Sequence, residues 1–234
     1  MVKYKKQATK ITFNYFSLKM NIALFIVSII AAYLLGSIPS SVWYGIGYFG
    51  IDVRKHGSGN AGATNTFRVL GKRAGTIVML IDVLKGWTAT CLASLLFYMS
   101  AIGETELLMF KILFGIIAIV GHIFPIFVNF KGGKGIATLL GMVLAIHPEL
   151  AAMCITIFIL TLLASQFVSL SSILSTLAFP VLSWLGLFGR PEPLLVVFGF
   201  IMFVLVVLTH QKNIVRLLNG NENRVNIFPK GNKA

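Results

Sequence analysis

Seven apolar runs, most of them near the length that crosses a bilayer, occupy most of this 234-residue chain. They cover roughly 22–49, 74–100, 107–128, 135–147, 149–167, 170–189 and 193–210. A soluble chain covers its surface with roughly 25% charged residues. Here only 12% are charged, 57% are hydrophobic and the mean hydropathy is +0.88, so most of the exterior must face lipid. Hydrocarbon offers the backbone no hydrogen bonds, which leaves helices as the spanning element for runs of this length. The sequence therefore predicts an all-α integral membrane protein of about seven transmembrane helices. The run 135–147 is short, rich in glycine and ends at His147-Pro148, where the proline drives its predecessor out of the α region. No repeat, low-complexity tract or Pro/Ser-rich linker divides the chain. It reads as a basic N-terminal extension over 1–21, one membrane domain over 22–226 and a tail over 227–234.

The connections decide the orientation. Arg54, Lys55, Arg68, Lys72 and Arg73 lie in the first, Lys131 and Lys134 in the third, and Lys212, Arg216, Arg224, Lys230 and Lys233 follow the last run. The intervening connections hold Glu104, Glu106, Glu149 and Glu192, with Arg190 as their one basic residue. The positive-inside rule puts the basic set in the cytoplasm. The C-terminus is then cytoplasmic and, with seven spans, the N-terminus outside. Lys3, Lys5, Lys6, Lys10 and Lys19 oppose that placement. Either translation starts at Met20 or the other charges outvote them. The first run continues past Gly36 and Pro39 without an A-x-A-like site, so it is expected to be a retained helix rather than a cleaved signal. The net charge of +13 serves topology and anionic lipid, not nucleic acid. Cys91 and Cys154 sit in apolar runs without a CxxC partner and read as small buried hydrophobes.

Three polar segments break the apolar pattern. The first is Gly57-Ser58-Gly59-Asn60-Ala61-Gly62-Ala63-Thr64-Asn65-Thr66-Phe67-Arg68. Its G-x-G-x-x-G follows a membrane helix rather than a strand, which excludes a dinucleotide fold. Glycine N–H groups, a Ser58 or Asn60 cap, and Thr64 four residues before Arg68 suit a phosphate at a helix N-terminus. A plain glycine-rich turn fits the same residues.

The second segment runs from Gly121-His122-Ile123-Phe124-Pro125 to Phe130-Lys131-Gly132-Gly133-Lys134-Gly135. It lacks the Ser or Thr and the upstream glycine of a Walker loop, but two lysines around Gly-Gly make a cationic anion clamp. In the third, His210, Asn213 and Arg216 recur every three residues, ahead of Gly220, Asn221 and Glu222. That spacing shares a helix face, and there the His210 imidazole is expected to donate a hydrogen bond. Gln166, Ser169, Ser171 and Ser172 arrive at the same side of the membrane. Asp82 and Lys85 are one turn apart within the second run, and charges inside a membrane are functional by default. No Ser-His-Asp triad and no zinc-ligand spacing is present.

Taken together, GSGNAGATN, GHIFPIF with NFKGGKG, and H-x-x-NIxRLxxGxE resemble the bacterial acyl-phosphate:glycerol-3-phosphate acyltransferase family, in that order, from about Ile22 to Arg224. The basic extension departs from that family. The resemblance implies a seven-helix membrane enzyme of the bacterial cell (inner) membrane, with its N-terminus outside and its active site at the cytoplasmic face. It implies transfer of a fatty acyl group from acyl-phosphate to the 1-hydroxyl of sn-glycerol 3-phosphate, giving lysophosphatidic acid and phosphate. By motif position, Ser58, Thr64, Arg68 and Lys134 hold phosphate groups, with Gly59, Asn60, Asn65, Lys131 and Gly133 around them. Ser172, His210 and Asn213 line the glycerol side. No cofactor and no metal is implied. The partners are the two substrates and membrane lipid, with the enzyme that makes acyl-phosphate as a candidate. An anion transporter would need a polar path across the bilayer, and a headgroup phosphotransferase would need acidic metal ligands where only Asp52 stands. Neither fits the residue pattern as well.

Overall fold

The computed structural model describes residues 22–225, and these are helical, without a strand. The helices are α1 (Ile22–Ser37), α2 (Ser40–Phe49), α3 (Ala63–Tyr98), α4 (Glu104–Ile123) and α5 (Ile136–Ile146). They continue as α6 (Pro148–Ser165), α7 (Val168–Trp184), α8 (Pro193–Thr209) and α9 (Gln211–Leu218). Short 3₁₀ turns occupy Val53–Lys55 and Ile126–Val128. The basic extension 1–21 with its second methionine, and the tail 227–234, lie outside the described residues.

Every apolar run is largely helical. Among the described residues, three helices are by length and composition long and apolar enough to span a membrane, and up to five if each bent pair counts as one span. The α5 helix has 11 residues. At about 1.5 Å per residue it reaches roughly half of a hydrocarbon core about 30 Å thick. The first run, read as one helix, bends by 46° between α1 and α2. Pro39 is the cause, since it lacks an N–H and clashes with a continuing helix. The last pair, α8 and α9, bends by 66° at His210. The second run begins eleven residues earlier than its apolar pattern, at Ala63, with a break at Gly71 where φ is 86°. His147-Pro148 does separate two helices, and Pro148 takes the first turn of α6.

The α3 helix packs against α4 and α5, while α6, α7 and α8 pack in chain order. Small residues permit this closeness, as is usual between membrane helices. A side chain on Gly86 would run into the Thr138 backbone, and one on Gly141 into the Val83 carbonyl, so α3 and α5 touch main chain to main chain. One apolar cluster joins α1, α3 and α4 through Ala32, Ala89, Leu96 and Phe114. A second joins α4 to α8 through Ile119, Met142, Phe179, Phe198 and Met202. The polar segments are left at the ends of this frame.

Candidate active site

The first segment is a loop clipped to the N-terminus of α3. Asn65 is 1% exposed, and its amide is fully occupied. Its Oδ1 accepts the Ser58 N–H at 2.8 Å, while Nδ2 donates to the Val53 carbonyl at 2.8 Å and the His56 carbonyl at 3.1 Å. Gly59 spends its own N–H on the His56 carbonyl. Both residues, expected at the phosphate, instead hold the loop in shape. Gly57 and Gly59 have positive φ, which explains glycine at those positions better than anion contact does. What the loop presents outward is Ser58, Thr64 and Arg68, all exposed, with Asn60 half-buried. Arg68 has no ion-pair partner among the described residues. As the opening turn of a helix, Ala63 and Thr64 also point N–H groups without intrahelical acceptors.

Arg54 joins this loop to the second segment. Its guanidinium pairs with Asp52 at 2.8 Å and donates to the Val128 carbonyl at 3.2 Å. The Asp52 carboxyl is held below the usual carboxylate range by that bond from Arg54. In the second segment the glycine N–H groups are again internal. Gly132 donates to the Ile123 carbonyl and Gly133 to the His122 carbonyl, each at 3.2 Å. A side chain on Gly133 would strike both the His122 ring and the Ala61 carbonyl, so the two glycine-rich segments are pressed against each other. Of the two lysines, Lys131 is exposed and Lys134 half-buried.

Lys134 reaches the third segment. Its Nζ donates to Asn213 Oδ1, and Asn213 Nδ2 donates to Glu222 Oε1 at 2.7 Å. The same carboxylate accepts Ser169 Oγ at 3.0 Å and pairs with Arg216 Nε at 2.7 Å. Val225 N–H on the Gln166 carbonyl closes the tail over the turn between α6 and α7. Burial brings the Lys134 ammonium down to about 8, against the pull of Glu222 and with the push of Arg216. Burial alone would raise the Glu222 carboxyl, but the bonds from Arg216, Asn213 and Ser169 outweigh it and hold it below its ordinary value.

His210 is 3% exposed and sits at the α8–α9 break, not on the α9 face with Asn213 and Arg216. Its Nδ1 lies 2.8 Å from the Val206 carbonyl, which can only accept. The ring's one neutral N–H is therefore spent, and Nε2 carries the lone pair. The imidazole donates to the Val206 carbonyl, and its free nitrogen is an acceptor. Ser172 is buried and donates to the Val168 carbonyl at 2.9 Å, so the serine that meets the third segment is Ser169.

Sequence reasoning underrated Glu222, the residue on which Asn213, Arg216 and Ser169 converge. Its signal was a lone carboxylate among the basic residues of the tail. The Asp82–Lys85 pair forms as the spacing implied, at 2.9 Å. No group of three or more His, Cys, Asp or Glu side chains that could hold a metal gathers among the described residues.

A helical membrane protein with cationic and polar groups converging from three glycine-bearing or terminal segments is, as a class, suited to phosphate-bearing lipid precursors. The chain belongs to the glycerol-3-phosphate acyltransferase family, whose sequence pattern matches residues 26–220. It is an acyltransferase. It is 40% identical over 212 residues to the glycerol-3-phosphate acyltransferase of Salinibacter ruber, covering 86% of this chain and 93% of that one. With the enzyme of the same name from Streptococcus pneumoniae it shares 39% over 207 residues, 86% and 92% of the two chains. Its fold is similar to the crystal structure of PlsY (YgiH), an integral membrane glycerol 3-phosphate acyltransferase in its glycerol 3-phosphate form. The TM-score is 0.73 at 32% identity, covering 86% of this chain and 94% of that one. The lysophosphatidic acid form of PlsY matches with a TM-score of 0.71 at 31% identity, over 85% and 94% of the two chains.

Proposed function

We propose that this protein transfers a fatty acyl group from acyl-phosphate to the 1-hydroxyl of sn-glycerol 3-phosphate. The hydroxyl oxygen attacks the acyl carbon, the bond from that carbon to the phosphate oxygen breaks, and lysophosphatidic acid and inorganic phosphate leave. The observation that carries this reading is the bond from Lys134 to Asn213, which gathers a cation, an amide and the nearby imidazole. Acyl-phosphate is already activated, so positioning and charge neutralisation supply most of what a catalyst must add. Lys134 retains two further N–H donors for a phosphate oxygen. Arg68, Thr64, Ser58 and the first-turn N–H groups of α3 offer a second anion site, with Asn60 and Lys131 at its rim. His210 Nε2 accepts the proton end of the glycerol hydroxyl, the second Nδ2 hydrogen of Asn213 completes that side, and Ser172, its proton given to Val168, offers only its oxygen lone pairs there. The departing phosphate is the final proton acceptor. No step calls for a cofactor or a metal.

We further propose that all of 22–226 forms one acyltransferase domain, with α5 and α7 counted among seven crossings. Its basic connections and the site face the cytoplasm of a bacterial inner membrane, as the positive-inside rule supports. The residues 1–21 and 227–234 are appendages to it. An enzyme that makes acyl-phosphate is then its natural partner at that face. The test is purified protein in detergent with glycerol 3-phosphate and acyl-phosphate, acyl-thioester of coenzyme A or acyl-carrier protein as donor. Lysophosphatidic acid and phosphate in equal amounts from acyl-phosphate are expected. Turnover with a thioester but not with acyl-phosphate would refute the donor assignment.

A further inference from the structure

The apolar bundle contains a polar knot that the proposed reaction does not use. Lys85 Nζ lies 2.9 Å from Asp82 Oδ1 and donates to the Ile38 carbonyl at 2.9 Å. Ser40 Oγ donates to the same Asp82 oxygen at 2.6 Å. His122 Nδ1 stands 3.5 Å from that oxygen and 3.2 Å from Thr138 Oγ1. All five side chains are buried, and they come from α2, α3, α4 and α5.

Holding these helices together is a poor explanation for the knot. The backbone contacts at Gly86, Gly141 and Gly121 already bring α3, α5, α4 and α1 together. A buried ion pair at best roughly offsets its desolvation. This one is also incomplete, since Asp82 Oδ2 and the hydroxyls of Ser37 and Ser41 have no partner among the described residues.

The knot does touch the second glycine segment. The His122 carbonyl takes the Gly133 N–H, and the His122 ring lies where a Gly133 side chain would be. A cleft lined by Ser40, Ala61, Lys85, His122 and Gly132 joins the knot to both glycine-rich loops. Thr138, the other neighbour of His122 Nδ1, belongs to the first turn of α5, just past Lys134 and Gly135. His122 thus meets the loop on both sides of Lys134: its carbonyl and ring lie against Gly133 before it, and its Nδ1 faces Thr138 after it.

We infer that Asp82 and Lys85 orient His122, and that His122 is a positioning residue fixing the Lys131–Gly135 loop so that Lys134 meets substrate phosphate. This rests on the reading of Lys134 as a phosphate ligand.

A double-mutant cycle in the full-length purified enzyme tests it, with kcat, KM for glycerol 3-phosphate and thermal unfolding in detergent measured for each variant. His122→Ala is expected to lose about 10- to 100-fold in kcat/KM, the scale of a small misplacement of a catalytic group. In a Lys134→Ala background the same substitution is expected to cost less than about 3-fold more, because interacting residues are not additive. Thr138→Val, which removes only a hydroxyl, repeats the cycle if His122→Ala does not insert. Additive losses with an impaired Lys134→Ala, or undiminished activity of His122→Ala, would overturn the inference and leave the Lys134 reading standing. Undiminished activity of Lys134→Ala alone would overturn both.

Discussion

Lys134 and Asn213 lie 79 residues apart and are joined by a hydrogen bond from the lysine ammonium to the asparagine Oδ1. The bond fixes which way the amide points, because Nδ2 is then free to donate only toward Glu222. It also ties the loop after α4 to the helix after α8. The site's reactivity should depend on this junction more than on the number of cations around it.

Lys134→Ala and Arg68→Ala are each expected to lose about 100-fold or more in kcat/KM while still inserting in the membrane. Charge-assisted bonds to phosphate are the strong ones, and neither side chain packs in the core. Lys131, exposed and without a partner among the described residues, should matter less than about 10-fold. Steady-state kinetics on the three variants decide this, and equal losses at Lys131 and Lys134 would count against it.

The pH profile should carry the Lys134 ammonium. Burial depresses it to about 8, and the charged groups facing it are Glu222 and Arg216, with the His210 ring beside them. The protonated form binds phosphate, so kcat/KM should hold below that value and fall as pH rises through it. In Lys134→Arg, whose guanidinium stays charged, the fall should vanish even if the rate is lower. A limb unchanged in the arginine variant would assign it to another group.

For His210, the Nδ1 bond to Val206 leaves Nε2 as the acceptor. His210→Ala is expected to lose about 10²–10⁴-fold if the imidazole handles the hydroxyl proton. His210→Gln, which keeps an acceptor but does not titrate, should recover part of that loss if orienting the hydroxyl is the main role. Glutamine and alanine variants equally inactive at every pH, with a solvent isotope effect on the wild-type rate, would make the imidazole a general base.

Glu222→Gln should weaken the fold as well as the rate, because Arg216 loses its counter-ion while Asn213 and Ser169 keep only a neutral acceptor. Its carboxyl titrates below the ordinary value of 4.5 when folded, so the stabilisation is present above 4.5 and is lost as pH falls through the lower folded value. Thermal unfolding in detergent between pH 7 and pH 3, about the span in which carboxylates protonate, should show a smaller acid loss in the glutamine variant. An identical acid dependence would show that Glu222 is not the group responsible.

Much of the protein was legible in one dimension because its constraints are local. Apolar runs of this length must be helical in lipid, so each run became a helix, and Pro148 marked a break in advance; the 46° bend at Pro39 was not read from the sequence. The Asp82–Lys85 spacing of one turn was enough to predict their pairing. Motif order carried the family. Boundaries that depend on polar sequence were not legible: α3 starts at Ala63, after an extended Gly62 and with Asn65 clipping the preceding loop, and not where the apolar run begins.

Only the tertiary structure decided what each polar atom does. Asn65, Gly59 and Gly133 look from spacing like anion ligands, yet the hydrogen bonds they make go to neighbouring backbone. A side chain's chemistry is set by which of its donors remain unspent, and that depends on partners far along the chain. The same reasoning made His210 an acceptor, moved Ser169 rather than Ser172 onto Glu222, and set His122 against the Gly-Gly turn. Sequence by itself determined that this is a helical membrane acyltransferase with three polar segments. Folding determined which atoms of those segments are left free to meet a substrate.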